Sequence, residues 1–133
     1  MQRRKFIQLS AIGSAAIGIT GIGCTHRHPA FFNILVKPVQ LSQICDSKTI
    51  REIGMAYRLQ TVSEGDADKL VALLSADSTG NPVSLASDNL FIQTLINQKT
   101  KQDFETANTV IVNGWILAVT EARQCALLFV SNQ

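Results

Sequence analysis

Hydrophobic positions recur at helical spacing through the middle of this chain. Ile50, Ile53, Gly54 and Tyr57 fall at i, i+3, i+4 and i+7, which predicts an amphipathic helix over Ser47–Leu59 with Asp46 or Ser47 as its cap. Tyr57 on that apolar face reads as a core aromatic with its hydroxyl at the rim. Leu70, Leu73 and Leu74 supply the stripe of a second helix. It opens at Ser63-Glu64-Gly65-Asp66, with Ser63 as N-cap and acids in the first turn, where the helix dipole favours them. Thr79-Gly80-Asn81-Pro82 then reads as a turn. A third helix is predicted from Asp88 to about Lys101, with Ser87 as cap and Leu85 as a staple residue. Its apolar face is broad, built from the pairs Phe91/Leu95 and Ile92/Ile96. Phe104 marks a return to the core. Upstream, Phe31 to Leu35 is apolar but stops before Pro38, so it predicts a docking strand or a single helical turn.

The pattern changes in the last third. Thr109 to Val112 is β-branched throughout, and Asn113-Gly114 is a strong two-residue hairpin signal because both residues tolerate positive φ. Trp115 to Leu117 is the predicted return strand. A final helix follows from Val119 or Thr120 to Val130. Val119, Ala122, Ala126 and Phe129 share one face with Cys125 beside it, and Leu127, Leu128 and Val130 widen that face almost all round, so the helix should be buried. The fold class predicted is mainly α: a small bundle of about four helices over residues 31–133, with a short β-hairpin before the C-terminal helix.

The first 30 residues follow a different logic. Arg3, Arg4 and Lys5 form a basic region, Phe6 and Ile7 follow, and Ala11 to Ile22 is an uncharged, weakly apolar run. Its length suits a signal segment and is short for a membrane-spanning helix. Arg3-Arg4-Lys5-Phe6-Ile7 resembles a twin-arginine export signal, with Arg3, Arg4 and Phe6 as its characteristic positions. Gly21-Ile22-Gly23-Cys24 resembles a lipobox, with Gly21 where leucine is usual, which implies lipidation at Cys24. Residues 1–23 are thus expected to be a signal peptide and 24–30 a tether. Thr25 in place of aspartate after the cysteine leaves an outer-membrane destination open. An ordinary basic signal or an uncleaved anchor is the alternative.

Charge reinforces the division. The chain of 133 residues carries +2 in total, yet without residues 1–23 nine basic side chains face ten acidic ones. The remainder lacks the basic stripe that a nucleic-acid partner requires. Lys99 and Lys101 beside Asp103 read as a solvated helix end. Of three cysteines, Cys45 and Cys125 remain as an even pair if Cys24 carries lipid. A bond between them would close a loop of about 80 residues and contribute about 4 kcal/mol in the chain-entropy model. Two separately buried thiols are the alternative.

Candidate chemistry is sparse. His26 and His28 sit together in the tether without a third ligand, so no metal site is predicted. Neither histidine belongs to the domain, which leaves no histidine general base there. Glu64, Asp66 and Asp68 lack the spacing of a calcium loop. There is no phosphate-binding glycine loop, nucleophile elbow, zinc helix or haem motif, and no cofactor is predicted.

Asn113-Gly114-Trp115-Ile116-Leu117, continuing into Thr120-Glu121-Ala122-Arg123-Gln124-Cys125-Ala126-Leu127, resembles the C-terminal signature of an uncharacterised group of small bacterial twin-arginine-signal proteins. The usual form there is Asp-Gly-Trp, an aliphatic pair, a serine, then Thr-Glu-Ala-Arg. The likeness covers the signal and roughly the last 30 residues. Asn113 replaces the usual aspartate, and Ala118 replaces a serine that would form a capping box with Glu121. Thr120 is then expected to cap, or the helix starts uncapped. Trp115 reads as a core anchor and Arg123 as outward-pointing, with a partner-binding patch at Trp115 and Arg123 as the alternative.

Three functional readings follow. The first is a non-catalytic accessory or interaction subunit, exported by the twin-arginine machinery, anchored in lipid through Cys24, and paired with a periplasmic oxidoreductase. Small subunits of membrane-bound sugar and gluconate dehydrogenases are similar in general plan. The second is a free-standing envelope lipoprotein with a binding or structural role. The third is a small hydrolase. The first expects an exposed apolar patch near Trp115 or on the C-terminal helix, whereas the third expects a closed pocket lined by carboxylates and Tyr57.

Overall fold

A computed structural model describes residues 30–84 and 88–132. The signal positions Arg3, Arg4 and Phe6, the proposed lipidation site Cys24, and His26 and His28 lie outside the described residues. So do Leu85 and Ser87. Among the described residues the chain is mainly helical, with one two-stranded antiparallel hairpin directly before the last helix.

Two short helices, α1 (Ala30–Leu35) and α2 (Val39–Ser42), begin the domain. The apolar run predicted as a strand or one turn is thus helical. Pro38 separates the two, buried and with φ −72°, and its carbonyl accepts from the Ser42 hydroxyl at 2.7 Å. Helix α3 (Ser47–Gln60) is capped by Asp46, whose Oδ1 accepts from the Thr49 N–H at 2.8 Å. Ile50, Ile53, Gly54 and Tyr57 are its buried residues, the same four that the periodicity selected.

The next helix differs from expectation. Ser63 does not cap it. Val62–Glu64 is a 3-10 turn, and α4 (Ala67–Leu74) starts after Asp66, which accepts from the Lys69 N–H at 3.1 Å. A carboxylate three residues before Lys69 serves that N–H, while Glu64 is drawn away to other partners. Leu70 and Leu74 are buried, and Leu73 only partly. Helix α5 (Asn89–Glu105) is capped by Asp88, which accepts from the Phe91 N–H at 2.8 Å. Its buried stripe is narrow: Ile92, Ile96 and Thr100, at i, i+4 and i+8. Phe91, expected in the core, is half exposed, outside that stripe.

Helix α5 ends in a Schellman arrangement. The Asn108 N–H donates to the Asp103 carbonyl and the Ala107 N–H to the Phe104 carbonyl, with Ala107 at φ +59° where glycine is usual. Strands β1 (Thr109–Val112) and β2 (Trp115–Ala118) pair Val112 with Trp115 and Ile111 with Ile116. Asn113 and Gly114 make the turn at φ +52° and +86°, as a two-residue primed turn demands.

Helix α6 (Val119–Ser131) is the centre of the molecule. It packs against α3, α4, α5 and both strands, most extensively against α3. Ala122, Cys125, Ala126 and Leu127 are buried on it. The closest approach is at Gly54: a Cβ there would lie 2.1 Å from the Cys125 carbonyl oxygen. The core joins Leu35, Leu41, Ile53, Leu70, Ile92 and Leu117 around this helix. No helix among the described residues is long and apolar enough to cross a membrane.

Candidate functional site

The structure gathers polar side chains at the meeting point of α3, α4, α5 and α6. Arg123, expected to point outward, turns in. Its Nε and Nη2 donate to Glu64 Oε1 and Oε2 at 2.9 and 3.0 Å, a bidentate pair spanning 59 positions of sequence. The two side chains are only 22% and 14% exposed. The Tyr57 hydroxyl donates to the same Glu64 Oε1 at 2.9 Å. The guanidinium hydrogen bond, joined by that of Tyr57, holds the Glu64 carboxyl below its ordinary range against the effect of burial. Burial first, and Glu64 second, push the Tyr57 hydroxyl up. Glu64 thus bridges the 3-10 turn to α3 and α6. It is an ion-pair centre rather than a poised acid.

Asp103 organises the neighbouring side. Its Oδ2 accepts from the Thr120 N–H at 2.8 Å and from the Thr120 hydroxyl at 2.7 Å, while Oδ1 accepts from Asn108 Nδ2 at 3.0 Å. Thr120 does not cap α6, and the N-cap residue itself offers no side-chain cap, as the second expectation had it. Ala118 is the N-cap residue and has no side-chain oxygen. Glu121 reaches back to the Ala118 N–H at 3.1 Å, half of a capping box. Asp103, from another helix, stands in for an N-cap side chain by accepting from the Thr120 N–H, the second of the helix. Burial raises the Glu121 carboxyl, the Ala118 N–H opposes this, and the charge of Asp103 adds to the rise.

Lys99 also departs from the sequence reading. Lys101 is solvated and pairs with Glu105 at 4.0 Å, but Lys99 turns inward. Its Nζ donates to the carbonyls of Leu73 and Leu74 at 2.7 and 3.2 Å, closing the C-terminal end of α4. Burial, then the charge of Arg123, lower it to about 8, with Asp103 and Asp77 opposing. Lys99, Arg123, Asp103, Asp77 and Thr120 line an open polar cleft of about 340 Å³.

No family model, curated protein or solved structure matches this chain.

Trp115 does not join Arg123 in one site. It is half-buried and packed against the core from β2. The opposite side of the hairpin is apolar and open: Ile111 and Ile116, directly paired across the strands, are 65% and 66% exposed. Gln60 Nε2 donates to the Ile111 carbonyl at 3.2 Å, which brings the end of α3 against β1. Leu59 and Val62, on either side of Gln60 in sequence, are also exposed. No charged residue occurs from Thr106 to Thr120.

Cys45 and Cys125 are free thiols. Cys125 is fully buried on α6, and burial pushes its thiol far up, with the charge of Glu121 adding to it. Cys45 is partly exposed at the turn before α3, and burial, with Asp46, raises it. Neither is poised as a nucleophile. No group of three or more His, Cys, Asp or Glu able to hold a metal occurs among the described residues.

Sequence reasoning missed Glu64, Lys99 and Asp103. Their roles depend on partners 17 to 59 positions away, and no local pattern records such distances.

Proposed function

We propose that this protein is an exported, membrane-anchored, non-catalytic interaction subunit that docks a periplasmic oxidoreductase through its hairpin. One observation carries the reading. Ile111 and Ile116 form a directly paired, two-thirds exposed apolar face on strands without a proline or a charge. Edge strands of that kind ordinarily carry protective charges, prolines or bulges, and exposed apolar patches mark interaction sites. The C-terminal helix, the other place considered for docking, is largely buried. The Tyr57–Glu64–Arg123 cluster supports this reading over a hydrolase, because the carboxylate is neutralised by a bidentate arginine. Export and lipid anchoring rest on the resemblance of residues 1–24 to twin-arginine and lipobox signals.

The test is a mild-detergent pull-down of the tagged protein from membranes of its own host, with mass spectrometry and a visible spectrum. The expected result is a stoichiometric enzyme with a flavin or haem spectrum. It should be lost in an Ile111→Ser/Ile116→Ser double variant that keeps its circular dichroism. A colourless protein eluting alone with Cys24 acylated would overturn the reading and leave the free-standing lipoprotein, which the polar cleft beside Lys99 favours.

A further inference from the structure

The cleft bounded by the α4–α5 connection, the second half of α5 and the start of α6 holds hydrogen-bonding capacity that the fold does not consume. Lys99 carries three N–H donors and spends two on the Leu73 and Leu74 carbonyls. Arg123 carries five, spends two on Glu64 and interacts with the Tyr57 hydroxyl as well, which leaves it two. Across from them, Asp77 Oδ1 accepts from the Thr79 N–H, the Thr79 hydroxyl and the Asn81 N–H, at 2.9, 2.6 and 3.0 Å. Those bonds gather on one oxygen and fix the side chain in the lining of the cleft. Asp103 accepts from Thr120 with one oxygen and from Asn108 with the other.

Two cations facing one space attract an anion. Arg123 is tied to Glu64, which is not part of the cleft lining, and Lys99 is held by carbonyls rather than by a counter-ion. The carboxylates of Asp77 and Asp103 work against a dianion such as phosphate, by Coulomb repulsion at short range. What satisfies both signs is a molecule with a single carboxylate and an ammonium. We propose that this cleft binds a small zwitterion of the α-amino-acid class, its carboxylate between Lys99 and Arg123 and its ammonium on Asp77. The volume, about 340 Å³, suits a molecule of that size. This site is separate from the hairpin and does not depend on the docking reading.

Protonation of Lys99 gives the site a pH signature. The charged groups facing it are Asp103 on its own helix, Asp77 in the α4–α5 connection and Arg123 on α6. With Lys99 lowered to about 8, the cationic form that holds the carboxylate is lost as pH rises through that value. Affinity should be constant between about pH 5 and 7, where Asp77 stays ionised, and fall at least threefold by pH 9.

The test uses the full mature chain and the twenty free amino acids one at a time, with acetate, ethylamine and inorganic phosphate as partial probes. Thermal melts screen, and titration with amide chemical shifts follows. At least one amino acid is expected to bind saturably and to perturb the amides of Asp77, Lys99 and Thr120. Acetate, ethylamine and phosphate should each bind at least tenfold more weakly. Lys99→Gln and Asp77→Asn should each lower affinity tenfold or more. Asp77→Asn retains the Oδ1 acceptor of the turn, so it keeps the fold if Lys99→Gln loosens α4. The proposal is overturned if no amino acid binds, if phosphate or acetate binds as tightly, or if Asp77→Asn binds unchanged.

Discussion

Asp103 caps a helix to which it does not belong. Its Oδ2 takes both the main-chain N–H and the hydroxyl of Thr120, 17 residues away on α6. The position is forced by the end of α5, where the Asn108 N–H returns to the Asp103 carbonyl and turns the chain into the hairpin. The first turn of α6 thereby gains a carboxylate at its positive end. Asp103→Ala should cost about 1–2 kcal/mol, the usual range for losing an N-cap. Urea denaturation measures it. Asp103→Asn, which keeps one acceptor, should lose less. An Asp103→Ala protein as stable as the parent would show that Glu121 caps α6 alone.

The Glu64–Arg123 pair predicts an acid-sensitive stability. Arg123 holds the Glu64 carboxyl below the 4.5 of an ordinary glutamate. Its contribution is therefore complete above pH 4.5 and is lost as pH falls through the lower folded-state value. Glu64→Gln should lower stability at pH 7 by about 2 kcal/mol, typical of hydrogen bonds to a charged group. The gap between the two proteins should then narrow steadily from pH 4.5 to pH 3. A gap that stays constant over that range would contradict the ion pair.

Gly54 sets the distance between α3 and α6. Alanine would place its Cβ 2.1 Å from a main-chain oxygen that moves only if the helix moves. Gly54→Ala should therefore destabilise by about 3 kcal/mol, the upper end of ordinary overpacking. Gly65→Ala is the control: its Cβ would meet its nearest neighbour at 3.4 Å, and the change should stay within about 0.5 kcal/mol. Thermal and chemical denaturation of the two variants side by side decide the matter.

Ala107 offers the opposite sign. It holds φ +59° on an exposed turn, a conformation that costs an L-residue about 1–2 kcal/mol. Glycine adopts it freely but loses more entropy on folding. The net expectation for Ala107→Gly is a gain of about 0.5 kcal/mol in the same denaturation experiment. A loss would mean that the entropy of the unfolded chain outweighs the strain.

The elements of this protein were legible along the chain because they are made by neighbours. The i, i+3, i+4, i+7 spacing of Ile50, Ile53, Gly54 and Tyr57 produced α3 and named its buried face. Asn113-Gly114 between a β-branched run and Trp115-Ile116-Leu117 produced the hairpin. Helix starts were read within a few residues, and the error at Ser63 shows why not better. Two acidic residues, Glu64 and Asp66, competed for the same turn, and a tertiary partner claimed one of them.

What the sequence by itself determined is therefore the mainly helical class, the order of the longer helices and the hairpin, and most of the core face of each, since these follow from periodicity and turn chemistry over a few residues. Only the tertiary structure decided that Arg123 turns inward to Glu64, that Lys99 closes α4, that Asp103 caps α6 and that Ile111 and Ile116 stay exposed. Each of these depends on a charge or an apolar surface finding its partner, or none, across the packed helices. That outcome is set by where α6 lies against α3, α4 and α5, and no local spacing encodes it.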